Sequence, residues 1–300
     1  MGIVNEIKSL WPLAYAEYHV GELRGVVPIK KHLEATACLM NCVLKERLNV
    51  VIALRGPLGK LLKGIDVEDL FYTIGLLHDL GKASAYYLEG FINKLTIHSD
   101  KVHKLSFPSH EYVISVILEN LVKKEREEKL KAVLDLLAKT ISRHHTAMIN
   151  RHPARINRYG MNVQVIERAL AGVCYEGFIT FIGRELIPLC KQNNYNICNY
   201  VLENLLANIK NVKPCSTKLE IYHFNALQSF EVAGLGRSIG MDESYKFVVI
   251  ASGALIIADN IAAEYEGRHS DEGGSRLYTE HWKRELSDNL RYCLKLCLLI

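Results

Sequence analysis

Between Phe247 and Ala258 the chain reads FVVIASGALIIA, its longest apolar run, and then meets an aspartate, Asp259. Twelve residues are too few to span a bilayer. Residues 246–264 therefore read as a helix that is apolar nearly all round, and such a helix belongs in the middle of a fold. That placement makes Asp259 expensive. A carboxylate buried without a partner costs several kcal/mol, so it must meet a cation or a metal ion. The rest of the chain has to supply what Asp259 meets.

Helical periodicity runs through most of the sequence. Ile29, Leu33, Thr36, Leu39, Met40, Val43 and Leu44 mark one helix. Val67, Leu70, Phe71, Ile74 and Leu77 mark a second, opened by Asp66 as N-cap. Val113, Ile114, Ile117, Leu118 and Leu121 follow Pro108-Ser109, a helix start signal, and Leu130, Leu134, Leu137 and Ile141 mark a fourth. No run of alternating residues bounded by turn pairs stands out, so the class reads as all-α. The mixed-charge stretch Glu119–Lys131 reads as a solvated helix face, and residues 266–275, EGRHSDEGGS, as a mobile loop. Between about 150 and 240 the pattern is patchy; helices are expected there, with bounds the sequence does not place.

The net charge of +4 permits a nucleic-acid partner without requiring one. The start, MGIVNEIKSLW, has no basic region followed by an apolar core, and Glu6 stands where myristoylation wants serine or threonine. The chain is expected to be cytoplasmic, with no membrane partner. Its eight cysteines form no CxxC pair. Cys38/Cys42 and Cys293/Cys297 share the four-residue helical spacing and read as small buried thiols in a reducing compartment, although the spacing leaves disulfides open. The ending Cys297-Leu-Leu-Ile formally fits a prenylation box, but Trp282, Leu286, Leu290, Cys293 and Cys297 make a helical stripe that reads as packed.

The apolar faces carry a set of residues suited to metal ions: His32, His78, Asp79, His110, His144, His145 and Asp259. Any one histidine on such a face reads most simply as a satisfied core residue. The whole set is more than one ion needs, and its nitrogen–oxygen mixture suits Mn, Fe, Co, Ni or Zn, with Mg served by the carboxylates. Neighbours on a helix point about 100° apart. His78 and Asp79 therefore suit a geometry in which Asp79 bridges two ions and His78 binds one. Two ions about 3.5–4 Å apart clamp a phosphodiester for in-line attack. Lys82, one turn beyond His78, is placed either to neutralise phosphate charge or simply to satisfy a helix C-terminus. Arg143, Arg151, Arg155 and Arg158 lie beside the histidine pair, where a threaded strand needs phosphate contacts, and Tyr159 can stack a base.

In this order the residues resemble the HD metal-dependent phosphohydrolase superfamily. The His144-His145 pair and the HDLGK form at 78–82 resemble one branch, the HD nuclease of type I CRISPR interference. That resemblance implies one domain over 1–300, an all-α HD-type bundle around a dinuclear site with a helical insertion at about 150–240. It implies one ion on His32, His78, Asp79 and Asp259, and a second on Asp79, His110, His144 and His145. The ions would be Mn, Mg, Ni, Co or Fe, and the substrate single-stranded DNA, or RNA. Gly56-Pro-Leu-Gly-Lys60 lacks the spacing and hydroxyl of a phosphate-binding loop, so the resemblance points to a standalone nuclease beside a separate helicase and interference complex. Three features depart from the pattern: Thr146 after the histidine pair, Asn260 after the aspartate, and the 114-residue step from His145 to Asp259. Two other readings remain: a phosphohydrolase of nucleotides or cyclic nucleotides, and a non-catalytic scaffold, against which the full set of competent ligands speaks.

Overall fold

A computed structural model of the chain describes residues 2–52, 59–60, 62–98, 100–145, 163–211, 241–266 and 287–298. Helices dominate them. Helix α1 (Gly2–Leu10) leads into strands β1 (Leu13–His19) and β2 (Glu22–Pro28), then α2 (Ile29–Ile52) and α3 (Val67–Leu77). A 3-10 turn (Leu80–Ala83), α4 (Ala85–Ile97), β3 (His103–Lys104), α5 (His110–Lys124) and α6 (Glu128–Arg143) follow. Next come α7 (Val163–Ala171), α8 (Glu176–Phe181), a π-helical turn (Ile182–Leu186), α9 (Ile187–Gln192) and α10 (Asn196–Asn211). Helices α11 (Met241–Tyr265) and α12 (Ser287–Leu298) complete the described chain.

The sheet is the feature that the sequence reading passed over. It has three antiparallel strands in the order β2-β1-β3. Leu13, Ala16 and Tyr18 of β1 pack with Ile7, Phe91, Leu95 and Leu105 in a small second core. The turn between β1 and β2 places Val20 at φ 34° and Gly21 at φ 93°. Both positive values suit a tight hairpin, but a β-branched residue is uncommon there, and so the usual Asn-Gly or Gly-Gly signal is missing.

The helices form where the apolar spacing places them. Asp66 caps α3 by accepting from the Glu68 N–H at 2.9 Å. Ser109 precedes α5 but sits at φ 60° and makes no side-chain cap, so Pro108-Ser109 marks that start by position rather than through its hydroxyl. Asp69, buried near the start of α3, accepts from the N–H groups of Ile197 and Cys198 at 2.6 and 2.9 Å. It thus satisfies the first turn of α10 from a distance. Helices α7 to α10 add Ile166, Phe178, Leu202 and Leu205 to the same core that holds Leu33, Ile74 and Leu255.

Helix α11 is long and apolar enough to cross a membrane over Lys246–Tyr265, longer than the uninterrupted apolar run suggests, yet 61% of that window is buried inside the fold. Its Phe247 stacks on Phe71 with ring centroids 6.1 Å apart. The apolarity of this helix serves the core.

Where α2 crosses α3 the backbones touch. A Cβ on Gly75 would lie 2.5 Å from the Ala37 Cα and 2.8 Å from its nitrogen. Gly75→Ala must push the helices apart, and overpacking of this kind costs about 3 kcal/mol. A lowered denaturation midpoint of that size is the expected result; a midpoint matching the wild type within error would show that the helices do not meet there.

The cysteine reading is corrected. Cys38 is bonded to Cys297 and Cys42 to Cys293, joining α2 to α12 twice. Cys190 is bonded to Cys198, and no cysteine among the described residues is free. Four-residue spacing on two facing helices brings both pairs into register together.

Glu119 corrects the solvated-face reading as well. It is half-buried, and burial, with Asp135 adding, pushes its carboxyl up to about 7 against the pull of Lys123 and Lys139. The folded value lies above the unfolded one, so the native state holds this proton more tightly. The associated stability is complete below the ordinary glutamate range and is lost as pH rises toward 7. Glu119→Gln should therefore raise the melting temperature by about 2 °C at pH 8 and leave it nearly unchanged at pH 5. Equal shifts at the two pH values would count against this.

Candidate metal centre

Five elements converge on one buried cluster. His32 comes from the first turn of α2, and His78 follows directly on α3, with Asp79 next to it. His110 opens α5, His144 and His145 follow α6, and Asp259 lies inside α11. None of the seven is more than 9% exposed. A second glycine makes the junction possible: a Cβ on Gly81 would collide with the His110 carbonyl oxygen, so only glycine lets the 3-10 turn lie against the start of α5.

Asp79 stands between two groups. Its Oδ2 is 3.1 Å from His32 Nε2 and 3.4 Å from His78 Nε2. Its Oδ1 is 2.7 Å from His110 Nε2 and 3.5 Å from His144 Nε2. Asp259 Oδ1 closes the first group at 3.1 Å from His32 Nε2 and 3.6 Å from His78 Nε2. His145 Nε2 closes the second at 3.0 Å from His110 Nε2. Within each group, His32–His78–Asp79–Asp259 and Asp79–His110–His144–His145, the candidate ligand atoms lie within 4.8 Å of one another.

The ring orientations fit metal ions. The Nδ1–H groups of His78, His110 and His144 donate to the carbonyls of Gly75, Phe107 and Ile141 at 2.7, 2.6 and 2.6 Å. In the neutral ring each bond places the hydrogen on Nδ1 and leaves Nε2 as a lone pair aimed inward. His78 Nε2 and His144 Nε2 are buried and make no hydrogen bond. Lone pairs crowded against carboxylate oxygens repel, and a cation between them reverses the sign. The residues present therefore suit divalent ions, one per group, with Asp79 able to serve both.

Charge is concentrated here. Without an ion, burial opposes charge on His78, but Asp79 and Asp259 outweigh it and raise it to about 9, so an ion bound there would take the place of the proton on His78 Nε2. Burial pushes His110 down, with Lys82 adding, against the pull of Asp79. Burial also opposes the carboxylates, yet His78, Lys82 and His110 hold Asp79 well below the usual range, and His32 and His78 do the same for Asp259. Lys82 is buried, and its ammonium bonds directly to Asp79 Oδ2 while standing 5.3 Å from the Phe107 ring centroid. In this arrangement it balances the cluster's own charge.

Of the proposed strand-contacting arginines, Arg143 ends α6 beside His144; Arg151, Arg155 and Arg158, with Thr146 and Tyr159, lie outside the described residues. Asn260 donates to the Ile256 carbonyl at 2.7 Å. Two participants escaped the sequence reading. Phe107 supplies a carbonyl to His110 and a ring to Lys82. Glu266, assigned above to a mobile loop, bonds by its backbone N–H to the Ala262 carbonyl, and its carboxylate lies 3.2 Å from His32 Nδ1. The sequence offered one signal for it, a carboxylate seven residues after Asp259 and hence on the same helix face.

Residues 17–266 match the family model described as Cas3, HD domain, a span that contains all seven residues of the cluster. No curated protein and no solved structure matches the chain.

Proposed function

Because the chain belongs to the Cas3 HD-domain family, we propose that it is a nuclease of CRISPR interference, hydrolysing phosphodiester bonds of single-stranded DNA, with RNA as a second substrate, beside a separate helicase. Membership itself makes the chain a CRISPR-associated HD hydrolase of the metal-dependent kind. The observation that carries the finer reading is the sharing of Asp79: its two oxygens address two separate ligand groups. Divalent ions held there would supply Lewis acidity and an activated water for in-line attack on phosphorus. The protein's part is to hold the geometry. Backbone carbonyls fix three imidazoles, Asp79 sets the spacing of the groups, and Lys82 carries positive charge against the shared carboxylate. Arg143, with Arg151, Arg155 and Arg158 in the following segment, supports a strand-binding role because guanidinium groups pair with phosphate.

The test is a substrate panel with Mn or Ni. Single-stranded oligonucleotides should be cleaved, while duplex DNA and mononucleotides remain intact. Release of phosphate from mononucleotides or opening of cyclic nucleotides, with oligonucleotides untouched, would move the assignment to a small-molecule phosphohydrolase.

A further inference from the structure

His32 differs from its neighbours in how it is held. His78, His110 and His144 each direct Nδ1 to a backbone carbonyl. His32 instead directs Nδ1 to the Glu266 carboxylate, whose two oxygens lie 3.2 and 3.3 Å away. We infer that Glu266 is a positioning residue: it fixes the tautomer of His32 and makes the His32–His78–Asp79–Asp259 group the tighter of the two ion sites. The inference rests on the two-ion reading given above.

Proton placement decides whether His32 can act as a ligand. His32 is fully buried, and its Nε2 faces Asp79 Oδ2 and Asp259 Oδ1, both at 3.1 Å. A neutral imidazole carries one N–H. If that hydrogen sits on Nε2, it bonds to an aspartate and closes the ligand atom. If it sits on Nδ1, Nε2 is open. Glu266 favours the second arrangement, and a full charge favours it more than a carbonyl dipole does. A carboxylate behind the ring also makes the imidazole a stronger donor.

The position of Glu266 adds a second line. Its N–H bonds to Ala262 O, so it ends α11, where a negative charge opposes the helix dipole. Its side chain is only 3% exposed. Helix stability alone does not favour a buried carboxylate there; His32 gives it a purpose. The other group has a carboxylate nearby in Glu111, whose Oε2 is 3.5 Å from His110 Nδ1. That Nδ1–H is already directed to Phe107 O at 2.6 Å, so Glu111 does not set the tautomer.

The experiment titrates the metal-stripped full chain with MnCl2 by calorimetry, with the melting temperature of the metal-free protein followed in parallel. Wild type should show two classes of site. Glu266→Gln, and more strongly Glu266→Ala, should weaken the tighter class about 10- to 100-fold. The weaker class and the metal-free melting temperature should hold, and Glu111→Gln should leave both classes as they were. Variants of Glu266 that bind Mn like wild type overturn the inference. So does a uniform loss of both classes with a lowered melting temperature, which marks a purely structural role. A wild type that takes up no Mn defeats the two-ion reading itself and takes the inference with it, a result distinct from either variant outcome.

Discussion

Asp79→Ala should reduce cleavage of 5′-labelled single-stranded DNA in Mn or Ni by more than about a thousand-fold, since a bound ion supplies several kcal/mol of transition-state stabilisation. The position is special because it belongs to both groups. His32 and His78 meet one carboxylate oxygen, and His110 and His144 meet the other. Loss of any other ligand leaves one group complete; loss of Asp79 leaves neither. The alanine variant also strands the buried Lys82 ammonium without its partner, which carries a stability penalty of roughly 3–5 kcal/mol. Asp79→Asn separates the two effects. It preserves shape and one acceptor oxygen, so the fold should survive by circular dichroism while Mn uptake and cleavage still collapse. A folded Asp79→Asn protein that cuts DNA at wild-type rates would remove the shared-carboxylate reading.

The cluster was legible because its chemistry conflicts with its surroundings. Asp259 in an apolar helix and His78-Asp79 at the end of another are costly placements, and burial of each at 9% exposure or less bears out that conflict. The helices were legible because their apolar faces repeat with the turn. What stayed hidden depends on tertiary contact. Gly75 looks like a tolerated helical glycine until Ala37 is seen against it. Glu266 looks like the start of a glycine-bearing loop until His32, far away in sequence, comes within reach of it. The hairpin was hidden for a local reason, because Val20 occupies a conformation that the sequence code for tight turns assigns to other residues. The cysteines fall between these cases. Their four-residue spacing was visible, but nothing along the chain says that α2 and α12 face each other.

That facing underlies the second large effect. The Cys38–Cys297 bridge closes a sequence separation of 259 residues, and chain entropy assigns about 5 kcal/mol to a closure of that length. Cys42–Cys293, one helical turn along both partners, then closes only a short additional loop and adds roughly 2–3 kcal/mol. Both act mainly on the unfolded chain. Replacing Cys293 and Cys297 together by serine should therefore lower the guanidinium midpoint sharply, by a free energy that rivals the whole stability of an ordinary domain. The cluster sits elsewhere on α2: His32 precedes Cys38 by more than a turn, and no cysteine belongs to either ligand group. Mn uptake at low denaturant should accordingly survive in whatever fraction remains folded. The wild type should bring the same loss on reduction, and its oxidised form should show no thiol titre at these four positions. Four reactive thiols in the native protein, or a double variant as stable as wild type, would mean that α2 and α12 are held by packing alone.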